Sequence, residues 1–175
     1  MWLFSKPKKY ILFVCVENSA RSQMAEGFFR KFAPKGYEPL SAGTMPKDKI
    51  NPLAVEVMKE IGVDISEQKP KELTDELMKT STKIVNMGCM YEGWCPTQYA
   101  NVADDWGLED PKGKPIEKFR QVRDKIEDRV RDLCDSLELV RQFGLSIANL
   151  PVNYFFISRS NKRGRFFAKH QILRL

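Results

Sequence analysis

Lys9-Tyr10-Ile11-Leu12-Phe13-Val14-Cys15-Val16-Glu17-Asn18-Ser19-Ala20-Arg21-Ser22 is the stretch that decides the fold. Lys9–Val16 is dense in Ile, Leu, Phe and Val, as a strand buried on both faces should be. Glu17–Ala20 reads as a polar turn. From about Ser22 to Phe32 the spacing predicts a helix, with Met24, Phe28, Phe29 and Phe32 on one face. The stretch is therefore strand, tight loop and helix, with a cysteine at the end of the strand.

The same alternation continues along the chain. A short strand is predicted near Glu38–Ala42, ending at Gly43. Asn51-Pro52 opens a helix, with Asn as cap and Pro in the first turn. Ala54, Met58 and Ile61 line that helix and Gly62 ends it. A further helix is expected over Lys71–Lys79 and a buried strand over Lys83–Met87, closed by Gly88. A weaker fourth strand contains Val102 and ends near Asp104–Trp106. The last clear helix is predicted from Pro115 to Leu139, where Ile116, Phe119, Val122, Ile126, Val130, Leu133 and Leu137 recur at steps of three and four. Strands alternating with helices imply a parallel sheet covered on both faces. In such a sheet ligands bind beyond the carboxyl ends of the strands, which is where Cys15 falls.

Composition narrows the function. The 175 residues suffice for one domain with a real core. No apolar run approaches the roughly 20 residues needed to span a bilayer. Ile11–Val16 is too short for the core of a signal peptide, so the chain is expected in the cytoplasm. In that reducing compartment Cys15, Cys89, Cys95 and Cys134 suit catalysis better than structural disulfides. The single histidine, His170, and the absence of two close cysteine pairs argue against a metal site, and no cofactor is expected.

The net charge of +6 is unevenly spread. Residues 141–175 contain seven Lys/Arg and no Asp/Glu, whereas residues 1–140 carry a net charge of −1. The division expected is a catalytic domain over 1–140 and a basic, aromatic extension over 141–175. In the extension Phe155, Phe156, Phe166 and Phe167 lie among Arg159, Lys162, Arg163, Arg165 and Lys169. A small appended element or a partly disordered extension is the favoured reading; a membrane-surface or nucleic-acid contact is the alternative.

Cys-Val-Glu-Asn-Ser-Ala-Arg-Ser, residues 15 to 22, carries the chemistry. A loop of this length between a strand and a helix can turn successive backbone N–H groups inward as an anion nest. The following helix adds its positive end. Arg21 supplies a planar fork for two oxygens of a tetrahedral oxyanion. The same positive field favours the nucleophilic thiolate of Cys15. Ser22 can donate to that thiolate, and Asn18 can hold the loop's shape. Val16, Glu17, Asn18, Ser19, Ala20, Arg21 and Ser22 are thus the candidate binding residues. Downstream, Asp110-Pro111 offers a candidate general acid, aimed by the fixed backbone of the proline. Asp104 and Asp105 are weaker candidates.

Val14 through Gly27 resembles the signature of the low-molecular-weight phosphatases and of the arsenate reductases related to them. The likeness continues through Ser41-Ala42-Gly43, Asn51-Pro52, Asp64-Ile65-Ser66 and Trp106 to Asp110-Pro111, covering about residues 9 to 138. Gln23 after Arg-Ser is closer to the reductases, since the phosphatases usually have Pro there. The resemblance implies a three-layer α/β sandwich with a four-stranded parallel sheet in the order 2-1-3-4. It also implies a reaction. Cys15 attacks arsenate, Cys89 attacks Cys15 and releases arsenite, and Cys95 passes the disulfide to the surface for thioredoxin or a glutaredoxin-like donor. Each exchange depends on thiolate character and access.

Three departures stand out. Glu17 replaces a glycine, and its carboxylate is expected to point away from the anion. Lys112-Gly113-Lys114 follows Asp110-Pro111 where the phosphatases tend to have tyrosines that flank an aromatic substrate, which favours a small anion such as arsenate or phosphate. The potassium site described for some thioredoxin-linked reductases is matched by Asn18, Glu26 and Ser41, but Lys71 stands where Asp is expected. The Lys71 ammonium is expected to take the ion's place. Cys134 reads as a packed core thiol. Two alternatives remain open: a phosphatase for phosphotyrosine or a small phosphate ester, which needs neither Cys89 nor Cys95, and a protein that binds oxyanions without turnover or contacts nucleic acid through its tail.

Overall fold

The computed structural model describes residues 7–88 and 103–144. Its elements are β1 (Lys9–Cys15), α1 (Arg21–Phe32), β2 (Tyr37–Gly43), α2 (Pro52–Lys59), α3 (Asp75–Thr80), β3 (Ser81–Asn86), β4 (Ala103–Asp105) and α4 (Ile116–Phe143). The four strands are all parallel and lie in the order β2-β1-β3-β4. This is the expected sheet.

Alternation along β1 assigns the layers. Ile11, Phe13 and Cys15 join Met24, Phe28, Phe29, Val57, Met58 and the α4 stripe in one buried cluster. Leu12 and Val14 point the other way and pack with Ala42, Met78 and Ile84. Successive strand residues face opposite sides of a sheet, so β1 is apolar throughout because both its faces are covered. Phe13 anchors the larger layer, with its ring centroid 5.7 Å from that of Phe29 and 5.8 Å from that of Trp106. Gly27 lies inside α1 because a Cβ there would fall 2.6 Å from Ile65 Cγ2.

The last two helices depart from their expected limits. The third helix begins at Asp75 rather than Lys71. Thr74 is its cap, accepting from Leu77 N at 3.3 Å, and Asp75 and Glu76 lie in the first turn, where carboxylates suit the helix dipole. Residues 71–73 instead run alongside the end of β2: Lys71 O accepts from Gly43 N at 2.9 Å, and Leu73 N donates to Gly43 O at 2.8 Å. At the other end of the chain α4 continues to Phe143, because Val140 extends the buried stripe by one more step. Gly144, in the left-handed conformation, terminates it.

Parallel register brings the four carboxyl ends together. Cys15 pairs with Gly43, Val14 with Asn86, and Asn86 with Asp105. Among the described residues, the segments after β2 and β4 both reach the loop and helix start that follow Cys15. Among the described residues no helix is long and apolar enough to cross a membrane.

Candidate active site

The loop after Cys15 is shaped from outside. Val16 O accepts from Met45 N at 2.9 Å, Glu17 O from Lys47 N at 3.0 Å, and Ser19 O from Asn51 N at 2.8 Å. In a trans peptide the carbonyl of one residue and the N–H of the next point in opposite directions. Anchoring these carbonyls outward turns the N–H groups of Glu17, Asn18 and Ala20 inward. The Asn18 N–H confirms the sense, donating to Cys15 Sγ at 3.2 Å. Gly43 permits this close approach: a Cβ on it would lie 2.5 Å from Val16 O and 2.8 Å from Asn18 N.

Asn18 is the hub of the loop. It is fully buried and holds φ at +46°, a conformation that asparagine tolerates better than most residues. Its Nδ2 donates to Ser22 Oγ at 2.7 Å, and its Oδ1 accepts from Lys71 N at 2.7 Å and Gln23 Nε2 at 3.0 Å. Gln23 Nε2 also reaches Asn18 O and Lys69 O. With one lone pair of Ser22 Oγ occupied by Asn18, its hydroxyl is free to donate to Cys15 Sγ, 3.0 Å away. Two donors therefore converge on one sulfur.

Arg21 faces the same loop from the start of α1. Its Nη1 donates to Met87 O at 3.0 Å and Leu108 O at 2.9 Å, and its Nη2 donates to Asp110 Oδ2 at 2.8 Å. Of the three aspartates considered, Asp110 alone has a described contact with the loop. Asp104 pairs with Lys83 at 2.7 Å, and Asp105 accepts from Gly107 N.

Glu17 directs its carboxylate to Lys112 and, at 3.8 Å, to Lys47, with Ser19 Oγ 3.3 Å away. Partial burial pushes its carboxyl up, but Lys112, Lys47 and the Ser19 hydroxyl outweigh this and hold it below the ordinary 4.5. Behind Asn18 lies the buried carboxylate of Glu26, which accepts from Arg30 at 2.6 Å, Ser41 Oγ at 2.5 Å and Lys71 Nζ at 3.3 Å. An ammonium on Glu26 Oε2 leaves that oxygen unsuited to a second cation, so these residues do not fit a potassium ion. Cys134 is buried in the α4 interface, and desolvation pushes its thiol up to about 12.

Cys89 and Cys95 lie outside the described residues, as do residues 145–175 of the basic extension. The described chain before Cys89 ends at Gly88, next to Met87, whose carbonyl Arg21 holds. Gln23 and Lys112 are contributors whose contacts local sequence spacing does not reveal. Gln23 stands beside the Arg-Ser pair, and Lys112 acts through a contact 95 residues away in sequence.

Fold and loop together define the class: a phosphatase-like α/β enzyme domain with a cysteine and an arginine in one anion-shaped loop. The chain belongs to the low molecular weight phosphotyrosine protein phosphatase family, whose model matches residues 10–142. It is 39% identical to an arsenate reductase of Staphylococcus aureus over 121 residues, which is 69% of this chain and 92% of that one. Among solved structures, a thioredoxin-dependent arsenate reductase of Corynebacterium glutamicum superposes with a TM-score of 0.65 at 35% identity, over 77% of this chain and 64% of that one. An arginine phosphatase from Geobacillus stearothermophilus superposes with a TM-score of 0.70 at 25% identity, over 78% and 97%.

Proposed function

We propose that this chain is an arsenate reductase in which Cys15 is the nucleophile and Cys89 and Cys95 form a thiol relay. The observation that carries the reading is the convergence of Ser22 Oγ and Asn18 N–H on Cys15 Sγ, inside a loop that also contains Arg21. Val16 to Ser22 cradle the oxyanion through backbone N–H groups and the Arg21 guanidinium. The Cys15 thiolate forms a bond to arsenic, and an arsenate oxygen leaves as water with a proton from Asp110. Cys89 then attacks Cys15 Sγ. The sulfur–arsenic bond breaks, its electron pair reduces arsenic from the +5 to the +3 state, and arsenite leaves. Cys95 attacks Cys89 and frees Cys15, and a thioredoxin-like dithiol reduces the Cys89–Cys95 disulfide.

The arsenate reductase relatives support this substrate, and the Corynebacterium structure supports thioredoxin as the class of donor. Lys112 and Lys114, in place of an aromatic wall, favour a small anion. The reading assigns catalysis to residues 1–140, leaves 141–175 as an appended extension, and places the protein in the cytoplasm, where thiols stay reduced.

Arsenate-dependent NADPH oxidation, with thioredoxin and thioredoxin reductase present, is the test. Turnover that is lost in both Cys15→Ser and Cys89→Ser is the expected result. The family match and the arginine phosphatase neighbour favour a second reading, that of a phosphatase. Aryl phosphate hydrolysis that needs Cys15 but not Cys89, with no NADPH consumed, would establish it instead.

A further inference from the structure

Besides the hydrogen bond from Arg21 to Leu108 O, two side-chain ion pairs tie the cysteine loop to the segment that carries Asp110. One is Arg21 to Asp110, between residues with expected catalytic roles. The other, Glu17 to Lys112, involves no reacting group. Lys112 also donates its backbone N–H to Asp110 Oδ1 at 3.0 Å, so its two ends hold Glu17 and Asp110. The contacts run in a closed ring: Glu17 to Lys112, Lys112 to Asp110, Asp110 to Arg21, and Arg21 back along the loop to Glu17. Cys15, in the same loop as Glu17 and Arg21, is only 3% exposed.

We infer that the Glu17–Lys112 ion pair is a strap that holds the Asp110 segment over the cysteine loop and restricts the site to compact inorganic oxyanions. Lys112 is its specificity-determining residue. The inference rests on the small-oxyanion site proposed above and names what enforces it. On this reading a four-oxygen anion is held by the cysteine loop itself, whereas the organic group of an ester would have to leave between the two loops that Glu17 and Lys112 join. The Lys112 side chain is 60% exposed, so its contribution is to geometry more than to stability.

The test separates a strap from simple attraction. If Lys112 acted only as a positive charge near the mouth, removing it would lower kcat/KM for every dianion. The strap predicts the opposite for a bulky one. In Lys112→Met, kcat/KM for p-nitrophenyl phosphate should rise about tenfold, the scale on which pocket shape discriminates, while that for arsenate does not rise. Lys112→Arg, which can still reach Glu17, should restore exclusion of the ester. Glu17→Gln should relax exclusion of the ester as Lys112→Met does. An unchanged or lower aryl phosphate rate in Lys112→Met, or an Arg variant that behaves like the Met variant, overturns the strap. The strap is judged on ester hydrolysis, which needs no reductant, and the reductase reading on the wild-type arsenate rate, so the two fail separately.

Discussion

Arg21 Nη2 donates to Asp110 Oδ2 at 2.8 Å, so the expected anion-binding group and the expected general acid are already in contact. The Arg21 side chain is 7% exposed and held by two carbonyls, whereas that of Asp110 is 48% exposed. Asp110 is therefore the partner open to solvent, with Oδ1 on the Lys112 N–H and Oδ2 on Arg21. An oxyanion in the loop competes with Asp110 for Nη2 and would release its carboxyl toward the leaving oxygen. Asp110→Asn is expected to lower kcat by about 10²-fold or more. Arg21→Lys, which keeps the charge but loses the planar fork, is expected to raise the KM for arsenate as well as lower kcat. Steady-state kinetics on both variants measures this, and an Asp110→Asn enzyme with full kcat would remove Asp110 from the chemistry.

Ser22→Ala removes one of the two donors on Cys15 Sγ. Iodoacetamide should alkylate Cys15 several-fold more slowly in this variant, because the sulfur loses a hydrogen bond worth about 1 kcal/mol that holds it in its attacking position. Cys134 serves as the internal control. Its thiol, pushed up to about 12, should stay unlabelled in the folded protein and react only after denaturation. Peptide mapping of the labelled protein reads both sites at once.

Gly43→Ala would place a Cβ 2.5 Å from Val16 O, with backbone on the other side of the contact and no flexible end to yield. A stability loss of about 1–3 kcal/mol is expected, together with weaker phosphate binding. Thermal melts with and without phosphate measure both. Because the clash distorts the loop, the stabilisation by phosphate should shrink more than the basal melting temperature falls.

Added potassium is expected to leave turnover unchanged relative to sodium, since Lys71 Nζ lies 3.3 Å from Glu26 Oε2. Replacing Lys71 with Met should lower the melting temperature, because a buried carboxylate loses one of its three donors. A several-fold activation of the wild-type enzyme by potassium would show that the ammonium does not substitute for the ion.

Acid should loosen the Glu17 contact in a defined range. The Glu17 carboxyl lies below its ordinary 4.5 in the folded protein, so the unfolded chain binds the proton more readily. The stabilising contribution is therefore fully present above about 4.5 and is lost as pH falls through the lower folded value. The melting difference between wild type and Glu17→Gln should be constant near neutrality and shrink below pH 4.5. A difference that grows on acidification would reverse the assigned sign.

Much of this architecture was legible in the sequence because it is locally encoded. Ile11 to Val14 announce β1, Phe28 and Phe29 announce α1, and the seven apolar positions from Ile116 to Leu137 announce α4. The loop from Cys15 to Ser22 was legible for the same reason. Local spacing predicts a helix from Lys71 because nothing local shows that Lys71 and Leu73 pair with Gly43, some thirty residues earlier. The same distance hides the Arg21–Asp110 and Glu17–Lys112 contacts, which span 89 and 95 residues. Loop-to-loop ion pairs leave no periodicity to detect; only the sheet order, which sets the carboxyl ends of β1, β3 and β4 side by side, makes them possible.

Gly43 leaves room for the cysteine loop, and the segment from Met45 to Asn51 holds its outward carbonyls. The signature is thus not a transferable module: grafting Cys15 to Ser22 onto another strand–helix turn would carry over a nucleophile without its cradle. For the engineer the smallest transplantable unit is the loop with its β2-side buttress. For the evolving chain, a change at either end of that contact is tolerated only with an answering change at the other.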